Sequence, residues 1–214
     1  KARAMSDEVI GAIIAGGQAS RMGGVNKPLQ VLAGQPMIAH VANRLRRQTP
    51  TIIANANRDV GAIAVATSVD PSNVVADHPA FAARGPLSGL LASMRAARSR
   101  GADHLLTVAA DTPFFPTDLA ARLQSAADGN TIAIAHCGGY RHPLFALWPT
   151  AIADDLEAFL AGGDINKVMA FAKRHALVEV DFDETGNDPF FNINTPEDLA
   201  KAEALFVVQA DPVA

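Results

Sequence analysis

The chain of 214 residues has one cysteine, Cys137, one tryptophan and one tyrosine. A lone cysteine excludes an intrachain disulfide and any cysteine-based zinc cluster, and it suits a reducing compartment. No apolar run approaches the roughly 20 residues that a membrane-spanning helix needs. The opening "KARAMSDEV" is charged and has no apolar centre, so no signal peptide is expected. A basic excess is missing too: 18 Lys and Arg stand against 22 Asp and Glu, for a net charge of −4, which argues against a nucleic-acid partner. The expectation is a soluble cytoplasmic protein without membrane or nucleic-acid partners. With 49% hydrophobic residues the chain can bury a sizeable core, and its length favours one large α/β domain. Residues 1–8 read as a disordered or tag-derived N-terminus, the four before Met5 as an expression remnant, and 9–208 as the single domain.

Short apolar runs alternate with helical patterns. Strands are predicted at 9–15, 51–54, 74–76, 104–109, 131–135, 145–148 and 177–182. "MIAHVANRLRRQ" sets Met37, Ile38, Val41 and Leu45 on one helical face. "PLSGLLASMRAARSR" and "PTDLAARLQSAA" read as helices likewise. "TPEDLAKAEALF" has Thr195 as N-cap, Pro196 at the first helical position and acidic residues in the first turn. Such alternation implies a mostly parallel sheet with helices on both faces, whose ligands bind beyond the carboxyl ends of the strands.

Polar groups gather at those ends. The first strand runs into "AGGQASRMGGVNKPL", with four glycines and two bases, Arg21 and Lys27. Glycines let backbone N–H groups approach a ligand, and the two bases suit an anion such as phosphate. The loop matches neither G-x-x-x-x-G-K-[ST] nor G-x-G-x-x-G, so a plain turn is the alternative. Asp111, after "LLTVAA", is either a turn-forming carboxylate or a Mg²⁺ ligand acting with substrate phosphates. Asn55 and Asn57, and likewise Asn192 and Asn194, read on their own as turn residues. His136 and His142 have no second His or Cys at ligand spacing, so no metal–histidine site is expected. "DFDETGND" reads as a solvated loop.

In order along the chain, "IIAGGQASRMGG", "NKPL", "ANANRD", "RGPLSGL", "DTPF", "HPLFALW" and "FFNINTPEDL" together resemble the molybdenum cofactor guanylyltransferases, the MobA family of GTP-using nucleotidyltransferases. The double glycine Gly16-Gly17 is similar to the guanylyl branch, where cytidylyl and sugar-nucleotide relatives usually have Ala-Gly. The resemblance spans residues 9 to about 205. It implies a three-layer Rossmann-like nucleotidyltransferase fold with a mixed sheet. It also implies transfer of GMP from GTP to the terminal phosphate of molybdenum-bound molybdopterin, with release of pyrophosphate. By position, the nucleotide contacts would be Ile14, Ala15, Gly16, Gly17, Lys27, Asn55, Asp77 and Asp111. Asp111 would also hold Mg²⁺, Arg21 and the glycine loop would hold the triphosphate, and Asn192 and Asn194 would lie on the pterin side.

On this reading Arg21, Lys27 and Asp111 form the catalytic set. One departure concerns the loop exit, where the family commonly has Asp-Lys-Gly or Asp-Lys-Ala and this chain has Asn26-Lys27-Pro28. The nucleophile is already a phosphate anion, so no general base is required. The alternatives are a cytidylyl- or sugar-phosphate nucleotidyltransferase of the same fold and a non-catalytic nucleotide- or cofactor-binding module. A monomer is expected, with cofactor-delivering and apo-molybdoenzyme proteins as its protein partners.

Overall fold

The computed structural model describes residues 8–15, 26–82, 84–163, 167–184 and 186–210, the last four by backbone alone. The strands are β1 (Val9–Ile14), β2 (Val31–Leu32), β3 (Gln35–Pro36), β4 (Thr51–Asn55), β5 (Val74–Val75), β6 (His104–Ala109), β7 (Ile132–Cys137), β8 (Tyr140–Pro149) and β9 (Leu177–Asp181). The helices are α1 (Met37–Arg46), α2 (Val60–Thr67), α3 (Pro86–Ser99), α4 (Leu119–Ala126), α5 (Ala153–Ala161), α6 (Val168–Ala172) and α7 (Pro196–Ala210).

Seven strands form one sheet in the order β5-β4-β1-β6-β8-β7-β9, and β2 pairs with β3 separately. β1 lies parallel to both β4 and β6, with Ile14 opposite Asn55 on one side and Ala109 on the other. β8 is antiparallel to β6 and β7. Gly138 and Gly139, at φ 57° and 81°, turn the chain straight back from β7, the left-handed pair that a two-residue hairpin requires. β8 therefore begins well before the predicted 145, because its exposed first residues Tyr140 and Arg141 hid it from an apolar-run criterion.

The apolar faces sort the helices into layers. Ile38, Val41 and Leu45 of α1, Ile63 of α2, and Leu119 and Leu123 of α4 pack on one side of the sheet. Leu87, Leu90, Leu91 and Met94 of α3, Leu156 and Leu160 of α5, and Phe171 of α6 pack on the other. α1 lies so close to the sheet that a Cβ at Gly11 would stand 2.5 Å from Thr49 Oγ1 and 3.0 Å from Leu45. A third, smaller cluster joins Leu32, Met37 and Phe114 to Ile193 and Ala202, and so seats α7. The Asp198 N–H donates to Thr195 Oγ1 at 3.1 Å, while the Asp198 carboxylate accepts the N–H groups of Asn194 and Thr195 at 3.0 Å. α7 thus starts in a reciprocal cap.

The path β1–α1–β4–α2–β5 moves outward in one direction, and α3 then crosses the opposite face to place β6 on the other side of β1. The connections thus diverge between β1 and β6. In an open α/β sheet that divergence opens a crevice at the carboxyl edge.

Candidate functional site

The chain leaving β1 re-enters at a single 3₁₀ turn, Lys27–Leu29, with the Pro28 ring buried. The N–H groups of Leu29 and Gln30 close this turn on the carbonyls of Asn26 and Lys27 at 2.8 and 3.1 Å. Lys27 is 7% exposed, and a buried ammonium requires partners. Its Nζ donates to Asp111 Oδ2 at 2.5 Å and to Asn194 Oδ1 at 2.7 Å. Asp111 follows β6, so the two charges meet across the β1–β6 divergence. The Ile193 N–H donates to the Asp111 carbonyl at 3.0 Å, which holds Asn194 beside the pair. Lys27, Asp111 and Asn194, chosen from three distant motifs, converge. Asn192 lies exposed on the other side of buried Ile193.

A second polar group lies beyond β4 and β5. Asp77, 8% exposed, accepts from Asn55 Nδ2 on Oδ1 at 2.9 Å and from Asn57 Nδ2 on Oδ2 at 2.8 Å. The Asp77 N–H in turn donates to Asn57 Oδ1 at 2.8 Å. Asn55 is fully buried, donates also to the Val75 carbonyl at 3.1 Å, and is packed so tightly by α3 that a Cβ on Gly89 would lie 2.2 Å from its Oδ1. Asn55 therefore stands behind Asp77, and Asp77 is the group nearer the crevice. Ile14 buries its side chain, and its carbonyl accepts the Ala110 N–H at 3.2 Å, while the Ala15 N–H donates to the Asn55 carbonyl at 3.1 Å. These two residues knit three strand ends together. Gly16, Gly17 and Arg21 lie outside the described residues.

Asn57, read from sequence as a turn residue, clamps Asp77. Another unexpected bond runs from Asn26 Nδ2 to Asp59 Oδ2 at 3.0 Å. Nothing in the sequence alone separates either bond from an ordinary turn. Mg²⁺ was expected at Asp111, and the residues fit it. Oδ2 is engaged by Lys27, whereas Oδ1 meets Thr112 Oγ1 only at 3.4 Å, on a side chain 22% exposed. One carboxylate oxygen thus remains for a cation that takes its other ligands from phosphates and water. Among the described residues no group of three or more His, Cys, Asp or Glu could hold a metal ion.

Farther along the same edge the composition changes. His142 stacks on Phe190 with centroids 4.2 Å apart, and burial pushes its pKa down, against the pull of Asp188. Phe190 also meets Phe145 and Phe182. The Arg122 guanidinium covers Phe182 at 4.2 Å, so the "DFDETGND" loop is anchored by a buried ring where full solvation was expected. His136 pairs with Asp181 at 2.6 Å.

The sheet order, the crevice at its divergence and the lysine–carboxylate pair there define an α/β fold of the nucleotidyltransferase type. A family model for the MobA-like NTP transferase domain matches residues 11–179, and the chain belongs to that family. It is 42% identical over 206 residues to a molybdenum cofactor guanylyltransferase of Bradyrhizobium sp., covering 94% of each chain. It is 47% identical over 201 residues to the protein of that name from Rhizobium meliloti, covering 90% of this chain and 89% of the other. Among solved structures, a nucleotidyl transferase from Methanothermobacter thermautotroptrophicus superposes with a TM-score of 0.71 at 25% identity, covering 95% of this chain and all of that one. Molybdopterin-guanine dinucleotide biosynthesis protein A from Archaeoglobus fulgidus gives 0.68 at 23%, over 93% and 98% of the two chains, a likeness of fold. No helix among the described residues is long and apolar enough to cross a membrane.

Proposed function

We propose that this protein transfers GMP from GTP to the terminal phosphate of molybdenum-bound molybdopterin, with release of pyrophosphate. The observation that carries the reading is Lys27, buried at the β1–β6 crevice and shared by Asp111 and Asn194, in a chain at least 41% identical to several proteins named for this activity.

The reaction is an in-line displacement at the α-phosphorus: an acceptor phosphate oxygen forms the new P–O bond as the bond to pyrophosphate breaks. Both reactants are anionic, so the principal barrier is electrostatic. Lys27 donates to the phosphates and stabilises charge on the departing pyrophosphate. Asp77, held by Asn55 and Asn57, contacts the nucleoside, and Asn192 and Asn194 line the acceptor side. By the family resemblance, Arg21, Gly16 and Gly17 would also contact the triphosphate. Fixing both substrates in one crevice supplies the proximity term. Mg²⁺, held by Asp111, supplies further positive charge when bound.

The test is pyrophosphate release from each nucleoside triphosphate, with and without molybdenum-loaded molybdopterin, before and after chelation of Mg²⁺. The expected result is acceptor-dependent release, lost on chelation, with GTP preferred over CTP and ATP by at least about 10²-fold, or roughly 2.7 kcal/mol. Equal use of CTP overturns the guanylyl assignment. Binding without release overturns the enzyme reading.

A further inference from the structure

The segment 55–59 bonds in two directions. Asn55 and Asn57 reach Asp77, and Asp59, two residues on, accepts an exposed bond from Asn26, beside Lys27. Asp59 gives up favourable local arrangements to do so. It occupies the N-cap position of α2 yet makes no capping bond, although Asp is a preferred cap there. Its backbone is left-handed, at φ 51° and ψ 33°, a conformation that a residue with a Cβ adopts at a cost. Strain of this kind persists where other contacts hold it in place. The contact here joins residues 33 apart in sequence.

The other end of that bond bears on Lys27. Asn26 directly precedes it, and the Asn26 carbonyl accepts the N–H that closes the Lys27–Leu29 turn. Fixing Asn26 fixes the root of the lysine. The carboxamide matters as well. An aspartate at position 26 would replace the N–H donor by a second carboxylate facing Asp59 and turn the attraction into repulsion.

We propose that Asn26 and Asp59 are a positioning pair, which ties the Lys27 turn to the segment that orients Asp77 and so sets the spacing between the phosphate and nucleoside contacts. The inference rests on the reading of Lys27 as a phosphate contact. It is tested with Asn26→Asp and with the exchanged double variant Asn26→Asp, Asp59→Asn, in which carboxylate and carboxamide trade places. Two measurements are made: steady-state kinetics with GTP, and hydrogen exchange of the Leu29 and Gln30 amides in the absence of nucleotide. Asn26→Asp should raise KM for GTP about fivefold, the upper scale of an exposed charged contact. Its kcat should change less than about threefold, as for a contact equal in ground and transition states. Exchange at both amides should quicken at least about threefold, as local opening becomes easier. The exchanged variant should return both readouts to near the values of the unaltered chain. The inference is overturned if Asn26→Asp leaves amide exchange unchanged, or if the exchanged variant is no better than the single one. Exchange needs no nucleotide, so failure of the unaltered chain to use GTP refutes the proposed activity while the exchange arm still decides the pair.

Discussion

The carboxyl edge of the sheet has two halves of opposite character. Where β5, β4, β1 and β6 run parallel, polar side chains hold one another: Lys27 with Asp111 and Asn194, and Asp77 with Asn55 and Asn57. Where β8 and β7 form a hairpin, the edge is closed by rings, His142 on Phe190 and Phe190 against Phe145 and Phe182. The cause is connectivity. Parallel strands must be joined through helices, and helices diverging to opposite faces leave a crevice that charged side chains can line. A hairpin returns in two residues and joins its strands without a crossover, so rings pack against one another there, beside a cavity of about 480 Å³ lined by Arg44, Arg122, Phe182 and Asp188. One half is therefore suited to chemistry, and the other to stability.

The sharpest way to break that division is Phe190→Ala. The ring is 4% exposed and touches three others, so its loss should destabilise the fold by about 3–5 kcal/mol, read from denaturant unfolding. A loss below about 1 kcal/mol would show that the rings are not a structural unit. Next in size is Asp111→Asn in the polar half. Turnover should fall about 10²–10³-fold, as for one transition-state stabiliser. The unfolding midpoint should fall as well, because buried Lys27 loses its counter-charge, and full activity at saturating Mg²⁺ would remove Asp111 from the site.

Asn57→Ala is expected to be milder. It leaves an Asp77 oxygen and the Asp77 N–H without their partner, a penalty of roughly 1–3 kcal/mol, and it should weaken nucleotide binding more than it slows the bound reaction. Calorimetric titration of GTP decides this; unaltered affinity would show that Asp77 holds its place without the clamp.

The smallest effect concerns pH. The pKa of His142 is depressed by burial, so the unfolded chain takes up a proton before the folded one does. Its neutral form contributes stability that is complete above the unfolded pKa of about 6.5 and is lost as pH falls through the folded value. His142→Phe, which keeps a ring over Phe190, should flatten the acid side of the melting-temperature profile. An unchanged slope between pH 7 and 5 would exclude this histidine as a source of acid sensitivity.

The strands of the buried sheet were legible because β1, β4 and β6 are apolar nearly throughout, and a run buried on both sides needs no periodicity to be seen. Lys27 and Asp111 were legible from the glycine loop and the end of β6, where a fold of this kind places ligands, whereas Asn194 reads on its own as a turn residue and is marked only by the family resemblance. α2 was not legible. Its sequence "VGAIAVAT" is apolar all round, with Val60 and Val65 exposed, so no helical stripe marks it. The β2–β3 hairpin was hidden by its two-residue strands around Ala33-Gly34. The support behind Asp77 and the Asn26–Asp59 bond were hidden for another reason. Carboxamides in a turn look alike in sequence, whether they bond to their own backbone or reach across a crevice.

The bond from Lys27 to Asn194 has a consequence for the chain as it is made. Its ends lie 167 residues apart, and at the roughly 5–20 residues per second of synthesis they leave the ribosome about 8–33 s apart. For most of that interval the lysine waits without its carboxamide, and until Asp111 is made it has no counter-charge either. The last strand, β9, is already complete when Asn194 is added. The crevice is thus among the last features of the domain to be finished during translation, and a nascent chain that stalls before residue 194 carries Lys27 without the full set of partners.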